Sequence, residues 1–168
     1  MVLLAGKAKT RDEAQTLLRS ALLGGKGLEK FRELIEAQGG DPRVIDDTER
    51  LPRARHRMSV RARRRGYIRS IDALAVGKIA TVLGAGRLLK EDGVDHAVGI
   101  EFLKKTGRRV SKGEPLAVIH ASTRSRGRRC AGLLQEVIEI GSARPRPRSV
   151  VVGRVNAGRI EKIRLPEG

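Results

Sequence analysis

A chain of 168 residues supports one medium domain, or a small domain with a helical appendage. Its hydrophobic fraction of 39% can fill a core, which must be aliphatic because Phe31, Tyr67 and Phe102 are the only aromatic residues. The formal net charge of +17 makes polyanions the natural partners, while the lone Cys130 excludes an internal disulfide or a four-cysteine metal site, and the lack of any run of about 18 apolar residues excludes a membrane-spanning helix.

The opening Met1–Gly6 is apolar but too short for a signal-peptide core, so a cytoplasmic protein is expected. Thr10 and Glu13 have the spacing of a capping box, and Ala14, Leu17, Leu18, Ala21 and Leu22 follow at helical intervals up to Gly24-Gly25. A second helix places Leu28, Phe31, Leu34 and Ile35 on one face and Glu29, Lys30, Arg32, Glu33 and Glu36 on the other, ending at Gly39-Gly40. Asp41-Pro42 opens a further helical turn through Val44 and Ile45. The spacing predicts two antiparallel helices joined by a short loop. Isolated helices of this length are marginal in water, so their apolar stripes call for self-association or a partner chain.

From Arg50 to Arg65 the pattern dissolves into arginine, with Met58 and Val60 as the buriable groups. This reads as a linker that ends in an edge strand, its arginines burying little. Gly66–Ile71 reads as a strand, and Asp72 caps a helix running to Leu83, stopped by Gly84 and Gly86. Ala97–Leu103 and Leu116–Ile119 are strand candidates, with turn signals at Thr106-Gly107 and Ser111–Gly113 around Val110. Ala131–Ile140 reads as one more helix, and Pro145 and Pro147 interrupt the chain before Val150–Val152. The expected domains are a helical segment over 1–49, an arginine-rich linker over 50–65, an α+β domain over 66–143 and a basic tail with short strands over 144–168.

No catalytic grouping stands out, and no cofactor or metal site is expected. His56, His96 and His120 have no metal-ligand spacing among themselves or with Cys130. Asp95 and His96 are neighbours, which on a strand sends their side chains to opposite sides. Gly84-Ala-Gly86 follows a helix rather than opening one, so it is a helix stop and not a phosphate loop.

Charge is distributed unevenly. Residues 1–50 balance nine basic against nine acidic side chains, whereas 51–69 hold eight arginines and no acid. The candidate polyanion-binding residues are Arg53, Arg55, Arg57, Arg61, Arg63, Arg64 and Arg65, with Arg124, Arg126, Arg128 and Arg129 in a second cluster. Arginine clusters neutralise phosphates and release counterions, which favours RNA or DNA without sequence choice. The aromatic residues that would stack bases are missing.

The run Leu28–Asp47, read as LEKFRELIEAQGGDPRVIDD, closely resembles pyrimidine-nucleoside phosphorylases, including thymidine phosphorylase. The likeness continues through Gly66–Ile68, Ile71–Ala73, Ala75–Gly77, Leu83–Arg87, Lys90–Gly99, Gly113–Ala117 and Ile119–Ala121. The resemblance implies the family's carboxy-terminal region: a helical pair from the large lobe, then a small α+β domain of the hammerhead or barrel-sandwich type. It also implies phosphorolysis of pyrimidine nucleosides to free base and pentose 1-phosphate. The family's glycine-rich phosphate loop and its base-binding arginine, serine and lysine lie upstream of the segment this sequence resembles, so no catalytic residue carries over. A truncated or split phosphorylase subunit, silent without a separate catalytic chain, is the first expectation. A non-enzymatic basic protein that reuses the domain to bind RNA or a ribonucleoprotein is the second.

Overall fold

The computed structural model describes residues 1–87, 89–146, 153–156 and 158–162. Contacts divide the chain into two compact units, Met1–Pro52 and Arg53–Gly168.

The first unit is built from helices α1 (Arg11–Leu23) and α2 (Lys26–Ala37) and two 3₁₀ turns, Pro42–Ile45 and Thr48–Arg50. The capping box forms as expected: the Glu13 amide donates to Thr10 Oγ1 at 3.2 Å, and Glu13 Oε2 accepts from the Thr10 amide at 3.3 Å. Those bonds occupy donors that a helix start leaves without partners. Arg32 reaches from α2 to Asp46 through two hydrogen bonds of 3.1 and 3.0 Å, fastening the helix to the first 3₁₀ turn. Little apolar surface is covered here. Ala14 is the buried residue of α1, and α2 has none.

The second unit is an α+β domain, and its core is well filled. Strands β1 (His56–Arg61), β5 (Pro115–Ala121) and β3 (Gly99–Phe102) form one antiparallel sheet in that order. Strands β4 (Arg109–Val110), β2 (Gly66–Ile71) and β6 (Ile138–Gly141) form the other. Helices α3 (Ala73–Leu83) and α4 (Arg124–Glu136) pack on each other, and α4 also lies against β1 and β5. No sheet closes into a barrel among the described residues. Strands β7 (Gly153–Asn156) and β8 (Arg159–Lys162) pair as a hairpin in the basic tail. The Val150–Val152 run lies outside the described residues.

Ile68, Leu83, Leu116, Ile119, Cys130 and Leu134 are fully buried at the centre, so the core is aliphatic as the composition requires. Asp72 caps α3 by accepting from the Ala75 amide at 3.0 Å. Gly84 ends that helix at φ 111°, a left-handed conformation that costs glycine little.

Three expectations need correction. The edge strand expected at the end of the 50–65 segment forms as β1, outermost in its sheet, but it starts earlier, at His56, and occupies the middle of the segment, paired with β5 from His56–Ala121 onward. The reason is period-two alternation: Arg57, Ser59 and Arg61 are exposed, while Met58 is half-buried and Val60 is buried. The helix expected over 131–140 instead runs from Arg124 to Glu136, capped by Thr123, and 138–141 is strand. Ile138 and Ile140 point inward around an exposed Glu139, again with a period of two. Finally, Asp95 and His96 sit in the loop before β3, not on a strand.

Candidate functional site

The histidines stay apart. His56 lies on β1, His96 is exposed in the loop, and His120 on β5 has Nε2 3.3 Å from Glu101 Oε2. Among the described residues no three His, Cys, Asp or Glu side chains converge as a metal site. The Cys130 thiol lies on the buried face of α4, and burial pushes its pKa up, opposite to what a nucleophile needs. Asp95 accepts from the Ser122 hydroxyl and from the Ala97 amide at 3.0 Å. These two bonds, Ser122 first, together with the Arg126 charge, hold its carboxyl below the ordinary value. An ionised, fully engaged carboxylate of this kind fastens a loop; it is a poor proton acceptor at neutral pH.

The arginines divide into groups that sequence alone does not distinguish. Arg55, just before β1, and Arg57 on β1 line a cleft of about 500 Å³ together with Arg124 and Arg128 of α4. His56, Met58, Ser59 and Ala131 complete its walls. Two segments almost seventy positions apart in the chain thus contribute two guanidinium groups each. Gly127 makes this approach feasible. A Cβ there would lie 2.8 Å from Met58 Sδ and 2.9 Å from Ala121 Cβ, so only glycine lets α4 settle this closely on β1 and β5. Arg124 and Arg128, one helical turn apart, flank that contact. Among the described residues no carboxylate pairs with Arg55, Arg57, Arg124 or Arg128.

Arg61, Arg63 and Arg64 line a different depression of about 380 Å³, which also contains Glu136 and Glu139. Here the arginines do structural work. Arg61 donates from Nη1 to the Gly113 carbonyl at 2.9 Å, Arg64 donates to the Ile140 carbonyl, and Gln135 donates to the Arg61 carbonyl at 2.7 Å. Arg61 and Arg64 are exposed, in keeping with arginines that bury little, yet both are engaged by backbone carbonyls. Arg53 and Arg65 are exposed at either side of β1, and Arg129 is exposed on α4. Arg126 faces away from the cleft, toward Gly84 and Asp95. The cleft residues missed from sequence are His56, Met58, Ser59 and the enabling Gly127. The alternation of Arg55 and Arg57 with Met58 and Val60 was the available signal.

The second unit is thus an α+β domain with an aliphatic core and a basic cleft on its surface. Residues 67–141 match the pyrimidine nucleoside phosphorylase C-terminal domain. The pyrimidine-nucleoside phosphorylase of Staphylococcus aureus (strain USA300) is 47% identical over 122 residues, and that of Bacillus subtilis (strain 168) is 46% identical over 122 residues. Each match covers 73% of this chain and 28% of the relative, so the chain spans under a third of the length of these relatives. The chain carries the carboxy-terminal region of the pyrimidine-nucleoside phosphorylase family.

Proposed function

We propose that this chain serves pyrimidine-nucleoside phosphorolysis as a carboxy-terminal domain, and that these 168 residues do not perform the reaction unaided. In that reaction phosphate attacks the anomeric carbon of the nucleoside, the glycosidic bond breaks, and free base and pentose 1-phosphate leave. The 47% identity to a pyrimidine-nucleoside phosphorylase over 122 residues carries the reading. Stabilising the attacking phosphate and the departing base needs fixed cations and amides converging on one small site. The candidate residues offer no such arrangement: Asp95 is engaged, Cys130 is buried, and the open arginine cleft has no group suited to holding a base. The reading places those groups in a separate part of the enzyme. No described helix is long and apolar enough to cross a membrane, and a cytoplasmic setting goes with nucleoside metabolism.

The test is direct. The purified chain, freed of host phosphorylase, is incubated with thymidine or uridine in phosphate buffer, and released base is measured. No turnover is expected. Adding a polypeptide that carries the remainder of the Bacillus subtilis relative should restore release. Turnover by the chain alone would refute the silent reading, and failure of the mixture to associate would refute the supporting role.

A further inference from the structure

We propose that the cleft between β1 and α4 is a binding site for the phosphodiester backbone of single-stranded RNA, held by Arg55, Arg57, Arg124 and Arg128. The inference does not rest on the phosphorolysis reading.

Four observations support it. The two arginine-rich segments, distant in sequence, meet on one concave surface of about 500 Å³ instead of dispersing into solvent. None of the four guanidinium groups is paired with a carboxylate among the described residues, whereas Arg61 and Arg64 nearby are committed to backbone carbonyls. All four cations are arginine, whose planar fork binds phosphate oxygens through two parallel hydrogen bonds. Moreover, Arg57 projects from the exposed face of β1 beside Ser59, and Arg55 adjoins it in the bend just before the strand, so the two cations border the same edge of the cleft.

The cleft also limits the ligand. Its walls hold His56, Met58, Ser59 and Ala131 but no Phe, Tyr or Trp, so there is no platform on which bases stack. Binding through the backbone alone has little preference among sequences. The volume is that of a small-molecule pocket, which suits a short stretch of one strand and not a duplex. The site also lies at the start of α4, where the helix dipole favours negative charge and where Arg124 and Arg128, one turn apart, repel one another until an anion arrives.

The test uses the full chain and a fluorescently labelled oligouridylate, with affinity measured between 50 and 200 mM salt. Four neutralised phosphates on a single strand give a logarithmic salt slope of about −2.8, or roughly a fiftyfold loss of affinity over that range. Replacing Arg55, Arg57, Arg124 and Arg128 with serine should make the slope shallower by about that amount. A charge-matched variant at exposed positions elsewhere, with Lys105, Arg108, Arg109 and Lys112 changed to serine, should keep the slope. If the serine cleft variant loses its native circular dichroism, the four lysine substitutions serve instead. They should keep the slope, which counts charges, and weaken affinity through loss of the paired hydrogen bonds. Equal flattening in the charge-matched variant would overturn the proposal, since net charge and not the cleft would then be responsible. Equal affinity for polyglutamate would overturn it in favour of an acidic polypeptide, and tighter binding of duplex DNA would overturn the single-stranded assignment.

Discussion

Residues 1–52 and 53–168 are built on opposite principles. The second unit buries Ile68, Leu83, Leu116, Ile119 and Leu134 completely, and its sheets and helices pack on a shared aliphatic core. The first has helical signals at least as clear, with a full capping box on α1 and a strongly amphipathic α2. Yet Leu22 is 74% exposed, Leu23 89% and Phe31 52%, and α2 buries nothing. Local signals can therefore specify a helix without giving it anything to pack on. Most helical stability in proteins comes from tertiary burial, so the second unit is suited to fold alone and the first to fold against something else. We propose a second copy or a separate catalytic chain as that cover.

The sharpest way to break this comparison is to remove one leucine from each unit. Leu134→Ala opens a cavity at the centre of the second unit and should cost about 2–5 kcal/mol. Leu22→Ala should change monomer stability by no more than about 0.5 kcal/mol, since its side chain is already in water. Denaturant titration reads the first effect. Sedimentation at rising concentration reads the second substitution, because losing Leu22 should weaken self-association through the exposed helices. Equal stability costs in the two variants, with a strictly monomeric wild type, would abolish the distinction.

A smaller effect tests how closely the basic cleft is tied to the well-packed unit. Gly127→Ala gains up to about 1 kcal/mol in helix propensity but sets a methyl against Ala121 Cβ, which cannot move aside as the end of Met58 can. Overpacking costs about 1–3 kcal/mol, so the net change should be destabilising, and RNA affinity should fall as α4 is pushed from β1. A more stable variant with unchanged affinity would show that the close approach has no consequence for the cleft.

The same contrast explains what the sequence made legible. The caps at Thr10 and Asp72, the stop at Gly84 and the strands around Ile68 and Ile119 are local signals, and each appears where the residues place it. Helix α4 was misplaced because its buried face is Gly127, Cys130 and Leu134, which does not read as an apolar stripe. Strand β1 reads as no more than the edge-strand end of a linker because arginine fills its exposed face and its partner, β5, comes some sixty positions later. The arginines themselves were plain, but their division into cleft and structural groups depends on contacts between distant segments, and no local pattern encodes those.

The smallest expected effect concerns acid. Asp41 in the first unit has its pKa lowered to about 2, chiefly by the hydrogen bond from the Arg43 side chain and then by the Arg43 amide. Asp46 is lowered by Arg32, again through hydrogen bonding first and charge second. A carboxyl whose folded pKa lies below its unfolded value contributes stability that is complete above the unfolded value, near 4. That contribution fades as pH falls toward the folded pKa, so the window for Asp41 runs from about 4 down to about 2. The second unit has its own lowered carboxyls in Asp95 and Glu114, and it should weaken in the same direction. It keeps an aliphatic core that no proton affects, whereas the first unit relies on Arg32–Asp46 to fasten its first 3₁₀ turn to α2 and on Arg43–Asp41 within that turn. Exposed ion pairs are individually weak, so the shift should be modest. Hydrogen exchange at pH 5 and again near pH 2.5 should show α2 losing protection before β5 does. In Asp41→Asn that difference between the two pH values should narrow, because one of the groups that titrates is gone. Equal loss of protection in α2 and β5 would mean that the two units share a single cooperative core.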